Sequence, residues 1–156
     1  MGERDDQTHD VSLAALLRSA RFTYQSAFRS AHAEAGFDDI PRDGAFVIGS
    51  IAVAGSPLSD VIWRLHLSKQ ASGQLVDTLV RRGYLARATD PDDRRRMVIT
   101  LTELGREAAT VGRRARERVD RALIERVGPE YVAHTRATLT ALSDGDLLDD
   151  GGAVAT

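Results

Sequence analysis

The sequence predicts a mainly α-helical chain carrying one short β-hairpin, and three observations carry that reading. Apolar residues recur at three- and four-residue spacing through most of the chain, which is helical periodicity. The stretch from Tyr84 to Thr102 instead reads as two short strands separated by the turn sequence Asp90-Pro91-Asp92-Asp93. Just before it, Ser68 to Gly83 opens on a residue that caps a helix N-terminus and closes on one that ends a helix. With the short segment Leu58 to His66 ahead of it, the order is helix, tight turn, helix and basic hairpin. That is a winged helix-turn-helix with a two-stranded wing, flanked by N- and C-terminal helices.

The length of 156 residues suits one domain that can bury a real core. Hydrophobic content of 42% and charged content of 28% are ordinary for a soluble chain, and the 5% of aromatics leaves the core to Leu, Val, Ala and Ile. There is no cysteine, which excludes disulfides, thiolate metal sites and a cysteine-based oxidant sensor. No apolar run approaches a membrane span and no signal-peptide core is present, so a cytoplasmic location is expected.

Residues 1–10 are polar and expected to be disordered. The first helix is expected from Val11 to Ala35, ending near Gly36, with Val11, Leu13, Leu16, Leu17, Ala20, Phe22, Tyr24 and Phe28 covering more than one narrow stripe. Such a helix should be gripped on two sides. The second runs from Pro41, a good first-turn residue, to Ala54, with Gly55 as its stop. Phe46, Val47, Ile48, Ile51 and Val53 make it mostly buried, and Gly49 inside it should permit a neighbour's close approach. Ser56-Pro57 then opens the Leu58–His66 segment, with Val61, Ile62 and Leu65 inward.

In the Ser68–Gly83 helix, Ala71, Leu75, Val76 and Leu79 form the dry stripe. Lys69, Gln70, Gly73, Gln74 and Asp77 make a front that is short or hydrogen-bonding, and Lys69 is the one lysine among 21 basic residues. A dry back with an amide-rich front is what a major-groove reader needs. The strand Met97 to Thr102 alternates Met97, Ile99 and Leu101 against Val98 and Thr100, and the turn before it ends in Arg94, Arg95 and Arg96. Guanidinium groups lifted off the body build no core but reach a phosphate backbone or a minor groove. Asp93, two residues before Arg95, is placed to orient that guanidinium.

After the wing, Thr102 caps a long helix carrying Leu104, Ala108, Val111, Ala115, Val119, Ala122 and Val127, with Arg113, Arg114, Arg116, Arg118 and Arg121 among them. Gly128-Pro129 ends it and opens a last helix with Val132, Ala137, Leu139 and Leu142. Residues 143–156 form an acidic, glycine-containing tail expected to be disordered. The net charge of −2 hides this distribution: residues 1–10 hold four acids and one arginine, residues 143–156 four acids and no base, leaving +5 over residues 11–142. Residues 67–96 hold seven basic side chains against four acidic ones, so the suspected reading surface is locally positive. Apolar stripes at both ends of the chain, 11–35 and 104–142, lie outside the winged core of 41–103. Left bare they would be an aggregation hazard, and pairing across a two-fold axis would cover them.

The run Leu67-Ser68-Lys69 through Leu75-Val76-Asp77, then Leu79 and Arg82-Gly83-Tyr84-Leu85, resembles the recognition-helix signature of the MarR-type transcriptional regulators. Asp93-Arg94-Arg95 followed by Leu101-Thr102-Glu103-Leu104-Gly105 is similar to that family's wing and the start of its next helix, and the resemblance extends over residues 11–142. The glycine usual before the recognition helix is His66 here, and the arginine usual in its middle is Gln74, which implies an altered base preference or a lost phosphate contact. The resemblance implies a homodimer on duplex DNA, acting as a ligand-responsive repressor at a pseudo-palindromic operator. The expected DNA-binding residues are Ser68, Lys69, Gln70, Ser72, Gly73, Gln74, Arg81, Arg94, Arg95 and Arg96. It also implies that a small aromatic or phenolic effector binds between the dimer helices and the winged core. Arg21, Phe22, Tyr24, Phe28, Phe46 and Trp63 are the residues that would line that pocket, with Arg21 meeting a carboxylate.

Catalysis is poorly supported. His9, His32, His66 and His134 are scattered outside any HxxxH or HExxH spacing, no phosphate-binding glycine motif occurs, and Ser72-Gly73 lacks the strand–turn context of a nucleophile elbow. Asp92-Asp93 reads as a turn that orients arginines rather than a metal site, and no cofactor is expected. The reading from another class is a winged-helix protein-interaction module whose Leu67–Gly83 helix docks a partner protein. Lys69, Gln70 and three wing arginines favour DNA, since a protein-docking face would expose more Leu, Tyr or Trp.

Overall fold

In the computed structural model, residues 11–54, 68–89 and 97–143 are described. The expected disorder of residues 1–10 and of the tail from 144, the Leu58–His66 helix with Trp63, the Gly55 stop and the wing tip with Asp93, Arg94, Arg95 and Arg96 lie outside them. The element order is α1 (Leu13–Glu34), α2 (Gly44–Ala54), α3 (Lys69–Arg81), β1 (Leu85–Thr89), β2 (Met97–Leu101), α4 (Glu103–Val127) and α5 (Pro129–Ser143). The chain divides into two compact units, Met1–Glu117 and Arg118–Thr156, and the boundary falls inside α4.

The helix ends follow from local chemistry. Ser12 Oγ accepts from the Ala15 amide and starts α1. α1 closes on a left-handed Gly36, with the Phe37 amide donating to the His32 carbonyl and the Gly36 amide to Ala33. α2 begins three residues later than expected. Pro41 opens a turn, closed by the Gly44 amide on the Pro41 carbonyl, and Asp43 at φ 66° supplies the carbonyl that receives Phe46 and Val47. Proline thus sets the turn before the helix, not its first turn.

The core of the first unit lies where α2, α3, the wing root and the start of α4 meet: Val47, Ile48, Leu79, Tyr84, Leu85, Ala108 and Ala109, with Ile51, Leu75, Ile99 and Leu101 against them. β1 and β2 pair antiparallel, from Leu85 opposite Leu101 to Thr89 opposite Met97. Two expectations about α2 are corrected. Phe46 is 42% exposed, because it falls on the face opposite Ile48, and a Cβ at Gly49 would meet nothing among the described residues. The glycine that does permit close approach is Gly105, where a Cβ would stand 2.1 Å from the Tyr84 carbonyl oxygen.

Within this unit α1 is half-buried from Tyr24 to Phe28 and buried at His32. The His32 Nδ1 and Nε2 lie 2.8 Å from the Phe28 carbonyl and 3.0 Å from the Ala108 carbonyl, while the Phe37 ring meets it edge-on. Leu13, Leu16 and Phe22 remain exposed, Phe22 at 63%. Near its middle, Arg21 Nη2 and Gln25 Nε2 both donate to Asp43 Oδ1, at 3.1 and 3.4 Å. In the second unit Val132 is buried, Arg136 pairs with Asp120 at 3.2 Å, and Leu123, Ile124, Val127 and Tyr131 are exposed. Among the described residues no helix is long and apolar enough to cross a membrane.

Candidate nucleic-acid interface

The surface is built on α3. Ser68 Oγ accepts from the Ala71 amide at 3.2 Å, and its carbonyl takes both the amide and the hydroxyl of Ser72, each at 2.9 Å. At the other end, left-handed Gly83 lets its own amide reach the Val80 carbonyl and the Tyr84 amide reach Leu79, both at 3.0 Å. Cap and stop therefore fall where the residue types place them.

Burial divides the helix into faces. Ser72, Val76 and Leu79 are buried, while Lys69, Gln70, Gly73, Gln74, Asp77 and Arg81 are exposed. Ser72, expected among the DNA-binding residues, does not share the exposed face. Two residues on from Gln70, the 100° helical step carries it to the inner wall, where it is 2% exposed and its hydroxyl is spent on the Ser68 carbonyl. Among the described residues nothing lies within 4 Å of where a Cβ of Gly73 would stand, so none of them explains a residue that weakens a helix by about 1 kcal/mol. What the missing side chain does provide is a low point where another molecule's backbone or groove wall can come close. Arg81 lies at the far end of the helix, donating to Thr78 Oγ1 at 3.2 Å, roughly 18 Å from Lys69 by helical rise.

The C-terminal end of α3 is tied down by Tyr84, Asp39, Arg82 and Thr102. The buried Tyr84 donates its hydroxyl to Asp39 at 2.5 Å, and Arg82 Nε approaches the other Asp39 oxygen at 3.9 Å. Burial first, then this bond and the Asp39 charge, push the Tyr84 phenol well above the usual range. Thr102 Oγ1, which caps α4 by accepting from the Gly105 amide at 3.0 Å, sits against the Gly83 and Tyr84 carbonyls. Asp39 was missed because its partner is 45 residues away, and only the fold brings them together.

The pocket residues are less united. Arg21 meets a carboxylate, but it is the chain's own Asp43. Tyr24 and Phe28 stack at a tilt, 6.4 Å between centroids, and Phe22 and Phe46 are exposed. Among the described residues no cluster of His, Asp or Glu could hold a metal ion.

A polar-faced helix, wing and capped junction in this order define a winged helix-turn-helix protein. The family model described as MarR family matches residues 45–96, from α2 into the wing. Solved structures share the fold. S. aureus MepR in complex with DNA aligns at TM-score 0.67 with 18% identity, covering 84% of this chain and 94% of that one. Streptococcus pneumoniae FabT in complex with DNA gives 0.66 at 22% identity, covering 85% and 93%. Bordetella bronchiseptica BpsR, described with regulation of its DNA binding by 6-hydroxynicotinic acid, gives 0.66 at 22% identity, covering 86% and 95%. No curated protein matches the chain. Over residues 45–96 the chain is similar to the MarR family, and it shares the winged helix-turn-helix fold of these DNA-bound structures.

Proposed function

We propose that the chain is a sequence-specific, ligand-responsive repressor that occupies a pseudo-palindromic operator as a homodimer in the cytoplasm. The observation that carries the reading head is the outward line of α3, where Lys69, Gln70, Gly73 and Gln74 are exposed above a buried Ser72, Val76 and Leu79. Amide side chains pair bidentately with adenine in the major groove, and lysine with guanine. The DNA complexes of MepR and FabT support the same use of the fold. Arg94, Arg95 and Arg96 extend the contact along the backbone or into the minor groove, with Asp93 orienting Arg95.

Dimerisation is supported by the apolar residues left exposed on the flanking helices, Leu13, Leu16 and Phe22 on α1 and Leu123, Ile124, Val127 and Tyr131 toward the other end. Two copies would set two recognition helices about one DNA turn apart, roughly 34 Å. An aromatic effector, of the kind named for BpsR, would change that distance by binding near Tyr24, Phe28, Phe46 and Trp63. Arg21 would serve it only by leaving Asp43.

Selection of bound fragments from random duplex DNA by the purified chain tests the reading. A two-fold-related motif is expected, and Gln70→Ala or Gln74→Ala should each lose about 1–3 kcal/mol of preference at particular base pairs while keeping general affinity. Recovery of no preferred sequence, or full preference in both variants, would reassign the helix to docking a partner protein.

A further inference from the structure

One ion pair ties the recognition helix to the wing. The chain reverses after Gly83, and Arg87 on β1 comes alongside Asp77, its Nη2 donating to Oδ1. Asp77 stands on the outward line of α3, seven residues after Gln70 and three after Gln74. A bare carboxylate there would face any polyanion the helix reads, and Arg87 neutralises it. Arg87 is also placed to steady the strand. Leu85, two residues earlier, is buried and fixes the root of β1, whereas Arg87 and Thr89 are exposed and have no core to hold them. Opposite Arg87 lies Ile99, which packs against the core.

We propose that Asp77 and Arg87 are a positioning pair that sets the tilt of the wing against the recognition helix without either residue touching DNA. The proposal rests on the DNA-binding reading above. With side chains 59% and 51% exposed, the pair adds little to folding. A bias of up to about fivefold per protomer is nevertheless enough to favour one wing angle. The sign separates this role from simple charge effects: deleting an acid from a DNA-facing helix should tighten binding, whereas deleting a strut should weaken it.

The test uses the full chain with Asp77→Ala, Arg87→Ala and the exchanged pair Asp77→Arg with Arg87→Asp. Affinity for the duplex selected by the unaltered chain is measured across a salt series, and amide hydrogen exchange of β1 and β2 is followed without DNA. Each single variant should bind about two- to fivefold more weakly per protomer, with unchanged salt dependence and faster exchange in the wing, and the exchanged pair should recover both readouts. Tighter binding by Asp77→Ala overturns the proposal. So does a salt slope shallower by about one unit per half-site for Arg87→Ala, which would make Arg87 a phosphate contact. A chain that selects no duplex overturns the DNA reading, whereas unchanged wing exchange in a chain that does select one overturns the pair alone.

Discussion

The two ends of α3 are built to opposite standards. At the N-terminal end the described bonds are local: the Ser68 hydroxyl on the Ala71 amide and the Ser68 carbonyl under Ser72. Lys69 and Gln70 beside them are exposed. The C-terminal end is gripped from three directions, by Asp39 through the Tyr84 hydroxyl, by Thr102 against two carbonyls, and by Gly105 beneath. The difference teaches that a helix can take its position from one end and, among the described residues, leave the polar groups of the other end out of long-range bonds.

The largest break in this comparison is Gly105→Ala. A methyl 2.1 Å from the Tyr84 carbonyl oxygen meets backbone, which cannot swing aside without disturbing Thr102. A stability loss of about 3 kcal/mol in urea unfolding is expected. A loss below about 1 kcal/mol would mean that α4 slides freely and that the C-terminal grip is loose.

Tyr84→Phe is a smaller change at the same end, removing one charge-assisted bond and costing about 1–2 kcal/mol at neutral pH. It also carries a pH signature. The folded chain holds the Tyr84 proton, through burial and Asp39, to a pH where the unfolded chain has already lost it. Its contribution is therefore complete below about pH 10 and declines as the pH rises further. Unfolding curves of Tyr84→Phe should lack that alkaline component; an identical decline in both proteins would place its origin elsewhere.

The smallest expected effect is at the opposite end. Ser68→Ala removes a cap and should cost about 0.5–1 kcal/mol, with faster hydrogen exchange at Ala71 and none of the C-terminal contacts disturbed. Accelerated exchange at Tyr84 in this variant would show that the two ends are coupled and would dissolve the contrast between them.

Most of what was legible in the sequence is local. Ser68, Thr102, Gly36, Gly83 and Gly128 mark helix ends because cap and left-handed geometry are decided within a few residues. The two wing strands were legible from their residue types and alternation, and the fold class followed from the order of elements. What stayed hidden depends on distance through space. Nothing near Asp39 announces Tyr84, and nothing near His32 announces the Ala108 carbonyl. Ser72 was expected among the DNA-binding residues by its type, whereas the helical step turns its side chain inward. Gly49 and Gly105 were told apart only once the neighbours of each were known. For the reading surface, side-chain chemistry pointed to the residues, and the backbone decided which of them face outward.

The joint between α1 and α2 carries a different consequence. Asp43 holds a left-handed backbone that most side chains avoid, and its Oδ1 receives two donors from α1, Arg21 and Gln25. The joint is redundant in its donors and single in its acceptor. Sequence drift at position 21 or 25 is buffered, because the surviving donor still finds the same oxygen. Drift at position 43 has no such insurance at this joint, since aspartate both tolerates the turn and receives the two donors, while His32 attaches α1 separately through the Ala108 carbonyl.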